Sequence, residues 1–247
     1  LTLSFPALLI DDLRACQYLL KPVNGRPQLT ILEDSMIIAI DGTAASGKGT
    51  LGRSLAQSLD LAYLDTGQLY RAVGVAADAR DIDIDAAPAS EIADIAAELD
   101  LSQPFGENLR TARAAELASK VAALPAVRAA LLDKQRQFAL HPPCGTGAIL
   151  DGRDIGSVIL PDADKKFFVD AAADIRAQRR FTELQAAGND CHFSEVLADI
   201  IKRDCRDKNR TIAPMTAVPD AFIIDSSDKN AEEVFRVAME FLEDTPQ

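Results

Sequence analysis

The stretch MIIAIDGTAASGKGT, Met36 to Thr50, decides the fold. Met36 to Asp41 is a short apolar run of the kind that a strand buried on both faces requires. Gly42, four residues, then Gly47 and Lys48 follow with the spacing of a phosphate-binding loop. From Lys48 the chain reads as a helix, with Leu51, Leu55 and Leu59 four apart on one face. In that order of strand, loop and helix, the backbone from Gly42 through Thr43, Ala44, Ala45, Ser46, Gly47, Lys48 and Gly49 to Thr50 can wrap a phosphate with its N–H groups. The positive end of the helix faces the same anion. Lys48 adds a mobile charge for the terminal phosphates. Gly49 stands where the general pattern has a Ser or Thr hydroxyl for Mg²⁺, which leaves Thr50 as the nearest hydroxyl. Magnesium would then be held mainly by nucleotide oxygens and water, as suits an ion that dehydrates reluctantly. That pattern favours small-molecule kinases over GTPase switches, and no NKxD guanine-reading motif is present.

Working outward, LAYLD (61–65) reads as a second strand, with Thr66 placed to cap a helix running to about Arg80. Ser90 is placed to cap a helix over Ile92, Ile95 and Leu99, and two further helical stretches flank Pro125. HPPCGTG (141–147) is a loop by its Pro and Gly content. AILDG, KKFFVD and AFIID read as the third, fourth and fifth strands, separated by helices over 172–186 and from Phe193 to about Arg210. Alternating β and α units with short apolar strands predict an α/β fold, a doubly wound parallel sheet of five strands. Ligands then bind at the carboxyl ends of the strands.

Charge narrows the partners. The 247 residues carry 26 Lys and Arg against 38 Asp and Glu, a net charge of −12. So acidic a chain is not expected to use nucleic acid or an anionic membrane as its main partner. No apolar run reaches the ~18 residues of a membrane span. Cys16, Cys144, Cys191 and Cys205 are scattered without CxxC spacing, and His141 and His192 lie far apart, so neither a disulfide framework nor a resident metal is expected. Reduced thiols fit a cytoplasmic protein. The apolar beginning lacks a basic leader and a cleavage site and is broken by Asp11 and Asp12, so it does not read as a secretory signal. Met36 reads as the natural start, with residues 1–35 lying upstream of it.

Three more stretches lie near strand ends. DTGQLYR (65–71) puts Arg71 soon after Thr66, and DGRDIGS (151–157) projects Arg153 and Asp154 from the carboxyl end of the third strand. IKRDCRDKNR (201–210) spaces Arg203, Arg206 and Arg210 three and four apart along one helical face. A mixed-charge helix is ordinarily a solvated surface. Beside a phosphate loop, the same arginines can close over a transferring phosphoryl group, where such charges raise rates by about 10³- to 10⁵-fold.

GKGT, DTGQLYR, LRT, DGRDIGS and RDCRDKNR together, in that order from Met36 to about Leu242, resemble the bacterial cytidylate kinases, a branch of the nucleoside monophosphate kinases. The resemblance implies transfer of the γ-phosphoryl group of ATP, with Mg²⁺, to CMP or dCMP, by a monomeric protein. It implies that Arg71, Arg153 and Arg210 hold the acceptor phosphate, that Asp154 and Arg110 read the cytosine, and that Asp207 contacts the ribose. Thr66 stands in the acceptor site where many members have Ser. Arg203 and Arg206 match lid residues near the donor phosphates. Lys48, Arg153, Arg203 and Arg210 then carry the transfer. Arg176, Arg179 and Arg180 lie in a helix resembling a family segment without a firm role, and Arg179 or Arg180 is a candidate ATP contact.

The resemblance also implies a core of 36–81 and 141–247, an acceptor-binding insertion over 82–140, and a lid over 203–216. Residues 101–110 are too short for the small sheet that other members carry there. The serine those members direct at cytosine is left with Ser102 as its stand-in. The alternatives are a kinase for UMP or another phosphorylated acceptor, and a nucleotide-binding switch.

Overall fold

Strand β3 (Ile37–Gly42) is flanked by neighbours on both edges, which explains its unbroken apolar run. The structure, a computed structural model, describes residues 18–23, 26–31, 35–101, 105–106, 109 and 111–244. It divides into two units, residues 1–35 and 36–247. In the first, β1 (Tyr18–Val23) and β2 (Arg26–Ile31) form an antiparallel pair with Tyr18 opposite Ile31.

In the second unit, β3 is followed by α1 (Lys48–Leu59), β4 (Ala62–Asp65), α2 (Thr66–Asp78), α3 (Ala89–Glu98), α4 (Ala112–Val121) and α5 (Pro125–Leu140). Then come β5 (Ala148–Gly152), a single π-helical turn (Ile155–Ile159) and β6 (Lys165–Asp170). Helices α6 (Ala173–Ala186) and α7 (Phe193–Asn209), strand β7 (Phe222–Asp225) and helix α8 (Ala231–Asp244) complete it. The sheet order is β4-β5-β3-β6-β7, every pairing parallel. This is the doubly wound sheet of five strands that the sequence predicts. Its order reverses around β3, so the carboxyl ends of β3 and β5 open the crevice where such sheets bind ligands.

The period of two sorts the strand side chains. Ile38 and Ile40 join Leu51 and Leu55 of α1 and Val234 and Ala238 of α8 on one face. Ala39 joins Leu64, Leu69, Val73 and Leu131 on the other, under α2 and α5. Phe167 of β6 meets Phe222 and Phe241 edge to face, with ring centroids 6.2 and 5.4 Å away. A smaller cluster of Ala177, Val196 and Ile200 holds α6 against α7.

Helix starts differ in detail from the sequence reading. Asp65, not Thr66, occupies the N-cap of α2, because the Thr66 hydroxyl is committed elsewhere: it donates to the Asp151 carbonyl at 2.7 Å. Ser90 lies within the first turn of α3, whose N-cap is Pro88. Pro125 opens α5, where a missing N–H costs nothing.

Candidate active site

The phosphate loop keeps its shape through groups that engage its outward-facing atoms. At Gly42, with φ of 149°, a Cβ would stand 1.9 Å from the Val169 carbonyl oxygen, so β6 passes directly beside a residue that must be glycine. The loop then turns through Ala45 (φ 59°) and Gly47 (φ 90°), which caps α1. The Thr43 carbonyl accepts from the Ser46 hydroxyl at 3.0 Å, and the Thr43 hydroxyl donates to Asp170 Oδ1 at 2.6 Å. The Ser46 carbonyl accepts from the Ser226 hydroxyl at 2.8 Å. Arg176, buried, reaches the Ala44 carbonyl at 3.3 Å, the Ala171 carbonyl at 2.7 Å and Asp204 Oδ2 at 2.6 Å. Such engagement leaves the backbone N–H groups to face an anion.

Lys48 opens α1 half-buried. Burial and Arg153 push its pKa down to about 8, against the opposing pull of Asp151 and Asp65. Asp151, on β5, is buried beside the loop, and burial raises its pKa while Lys48 pulls it back. Among the described residues no three acidic, His or Cys side chains gather as a metal site. A buried carboxylate such as Asp151 beside a phosphate loop suits Mg²⁺, an ion that keeps most of its water and would be held mainly by nucleotide oxygens.

Two carboxylates organise the arginines. Asp154 sits between Arg128, which donates to its Oδ2, and Arg210, which donates to its Oδ1 at 2.9 Å, and all three side chains are buried. Asp207 accepts from Arg153 Nε at 3.1 Å, and Arg203 Nε lies 3.8 Å from the same oxygen. That Arg203 Nε is buried with no hydrogen-bond partner, and burial together with Arg153 pushes the group's pKa down to about 10. A guanidinium held in this way is prepared for an anion. Arg71 pairs with Asp65 at 3.5 Å.

Asp41, at the end of β3, fixes the strand-end geometry. Its two oxygens accept from the N–H groups of Ile155 and Gly156 at 2.7 and 2.8 Å. Those are the first residues of the π-helical turn after Arg153 and Asp154, so β3 is tied to the segment that carries both. Burial pushes the Asp41 pKa up to about 6, although both N–H bonds pull against it.

Lys48, Arg153, Arg203 and Asp207 are thus joined by direct contacts or by electrostatic influence, and Asp154 with Arg210 forms a second group, Asp154 and Arg153 both acting on Asp41. Arg206 is half-buried on α7, outside this network among the described residues. Arg110 and Ser102 lie outside the described residues, and the group that shares Asp154 is Arg128. Its signal in the sequence was spacing: Arg128, Leu131 and Gln135, all buried, fall three and four apart on the inner face of α5. The Arg128 guanidinium sits over the Tyr70 ring at 5.8 Å and reaches toward the Ala122 carbonyl at 3.5 Å. One helical turn before Ala122, the Ser119 hydroxyl is buried without a hydrogen-bond partner. Of the α6 arginines, Arg176 braces the loop. Arg179 donates to the Ser226 hydroxyl and carbonyl at 3.0 and 2.6 Å, and Arg180 pairs with Glu183 at 3.2 Å. Beside the loop, Ser46, Gly47, Thr50, Arg179, Ser226 and Lys229 line a cleft of about 240 Å³.

The family described as cytidylate kinase matches residues 38–244 of this chain. A cytidylate kinase of Rhodospirillum rubrum is 50% identical over 208 residues, 84% of this chain and 97% of its own length. One of Azorhizobium caulinodans is 53% identical over 209 residues, 84% of this chain and 98% of its own. A solved structure of an uncharacterized protein from Eubacterium ventriosum shares the fold, with a TM-score of 0.50 and 14% identity over 85% of this chain and 100% of its own. Across nearly the whole of the second unit, from the phosphate loop to the last helix, the chain belongs to the cytidylate kinase family.

Proposed function

We propose that the protein transfers the γ-phosphoryl group of ATP to CMP or dCMP, giving ADP and CDP or dCDP, with Asp154 and Arg128 reading the cytosine. The observation that carries this reading is the buried set of Arg128, Asp154 and Arg210. A carboxylate oxygen accepts from the exocyclic amine of cytosine, and a guanidinium donates to the ring carbonyl and nitrogen. The unpartnered Ser119 hydroxyl, on the face that approaches Arg128, supports a third polar contact to the base. Uracil would bring a carbonyl to Asp154 and leave two acceptors opposed. Discrimination built on buried hydrogen-bonding groups reaches about 10⁴-fold.

The acceptor phosphate is held by Arg71, Arg153 and Arg210, and the ribose by Asp207. Binding replaces the present arginine–carboxylate pairs with arginine–phosphate forks, which are at least as strong. The donor occupies the cleft beside the loop, its phosphates on the 42–50 backbone and Lys48. Mg²⁺ neutralises those phosphates when bound, held mainly by nucleotide oxygens and water. Residues 82–140 form the acceptor side. Residues 203–216 act as a lid that brings Arg203 and Arg206 to the phosphates and excludes water, limiting hydrolysis. Action as a monomer, in the cytoplasm, with ATP as the donor completes the proposal.

The test is ADP release with Mg²⁺ and ATP against CMP, dCMP, UMP, AMP, GMP and TMP. Strong release with CMP and dCMP and weak release with UMP is the expected result. Equal release with UMP would overturn the base reading, and release with none would overturn the acceptor class.

A further inference from the structure

Gly49 replaces the hydroxyl residue that a phosphate loop ordinarily sets beside its lysine, and the structure accounts for the space. A Cβ built at Gly49 would lie 3.2 Å from Asp151 Oδ2, 3.4 Å from Tyr63 Oη and 3.6 Å from Arg53 Nη1. A serine or threonine side chain there would press on a carboxylate from β5 and come into contact with a phenol from β4. Those two are joined: Tyr63 Oη donates to Asp151 Oδ2 at 2.5 Å. Burial and the neighbouring Asp151 both raise the Tyr63 pKa, so the phenol keeps its proton and serves as the donor. The Arg53 guanidinium lies over the Tyr63 ring at 5.8 Å.

We propose that Tyr63 is a positioning residue that takes over the work of the missing loop hydroxyl. Its hydrogen bond fixes the Asp151 carboxylate against the first turn of α1, next to Lys48, where the carboxylate can accept from the water shell of a nucleotide-bound divalent cation. Without that donor, Asp151 is a buried carboxylate free to rotate and, by its desolvation, prone to protonation. A hydroxyl at 49 and the phenol at 63 are alternatives for the same space, and this chain uses the phenol. The inference rests on the reading of the protein as a kinase that uses a magnesium nucleotide.

The experiment compares wild type, Tyr63→Phe and Tyr63→Phe with Gly49→Ser. The readouts are Mn²⁺ affinity of the ADP-bound protein by electron paramagnetic resonance, metal-free ADP affinity by calorimetry, and CMP phosphorylation against Mg²⁺ concentration. Phe keeps the ring, so the fold is retained, which a thermal melt verifies. Tyr63→Phe is expected to weaken Mn²⁺ binding about tenfold, the scale of one hydrogen bond to a charged group. It should raise the Mg²⁺ requirement to match and leave metal-free ADP affinity within about twofold. The added serine is expected to recover most of the loss, its hydroxyl occupying the space the phenol left. Unchanged Mn²⁺ affinity in Tyr63→Phe, or no recovery in the double variant, would overturn the proposal. Failure of the wild type to phosphorylate CMP would overturn the acceptor reading alone, because the Mn²⁺ measurement needs no acceptor.

Discussion

Arg128 and Asp154 meet as a buried ion pair although one lies in the first turn of α5 and the other just beyond the carboxyl end of β5. The contact joins the part of the protein proposed to read the base to the part that carries the phosphate arginines. Arg128→Met removes the guanidinium but keeps much of its apolar volume. It should lower kcat/KM for CMP by at least about 10²-fold, the loss of buried hydrogen bonds to the base, while ATP affinity stays within about twofold. Steady-state kinetics with CMP varied, beside ATP calorimetry, checks both halves.

Arg153 and Arg210 are held now by Asp207 and Asp154. Replacing either with Ala should cut kcat by about 10²- to 10⁴-fold, since each would act on charge that develops during transfer. ATP binding should remain near normal. Single-turnover rates would separate this from a binding defect, and unchanged turnover in both variants would remove the acceptor-phosphate assignment.

Lys48 gives a pH signature. Burial lowers its pKa to about 8, so the free protein loses the ammonium as pH rises through that value. The profile of kcat/KM for ATP should therefore fall above about pH 8, because that parameter reports the free enzyme. Bound phosphates favour the charged amine, so the matching fall in kcat should lie higher. Lys48→Met should abolish the alkaline limb together with most of the rate. A pH–rate series between about pH 6 and 10 decides it.

Arg176 binds three acceptors on three segments, two of them backbone carbonyls and the third the buried Asp204. Removing it as Arg176→Met leaves a buried carboxylate without its partner, which costs about 3–5 kcal/mol in comparable pairs. Chemical denaturation should report a loss of that size, and nucleotide affinity should fall with it because the Ala44 carbonyl is released. Lysine at 176 supplies the charge without the fork and should restore only part of the stability.

Much of this was legible in the chain. The five strands announce themselves through apolar runs that only a doubly covered sheet demands, and the loop through its glycine spacing. Arg153 with Asp154, and Arg203 with Asp207 and Arg210, stood out because they form two short charged stretches. Arg128 and Ser119 did not, since each is one of several polar residues on a mixed helix: the spacing of Arg128 marks it only as facing inward, and both acquire meaning only from what packs opposite. Asp41 was equally silent: its partners are N–H groups more than a hundred residues away. Thr66 was misread as a cap because capping is a local rule, and its hydroxyl answers to a carbonyl on β5.

The Ser46 carbonyl is held by a hydroxyl 180 residues further along the chain. During synthesis, the loop sequence leaves the ribosome long before Ser226 exists, so a nascent chain has the motif without the scaffold that shapes it. Nucleotide affinity should thus appear late and abruptly in translation, once β7 has joined the sheet. Half-made copies of this protein would then hold nucleotide only weakly.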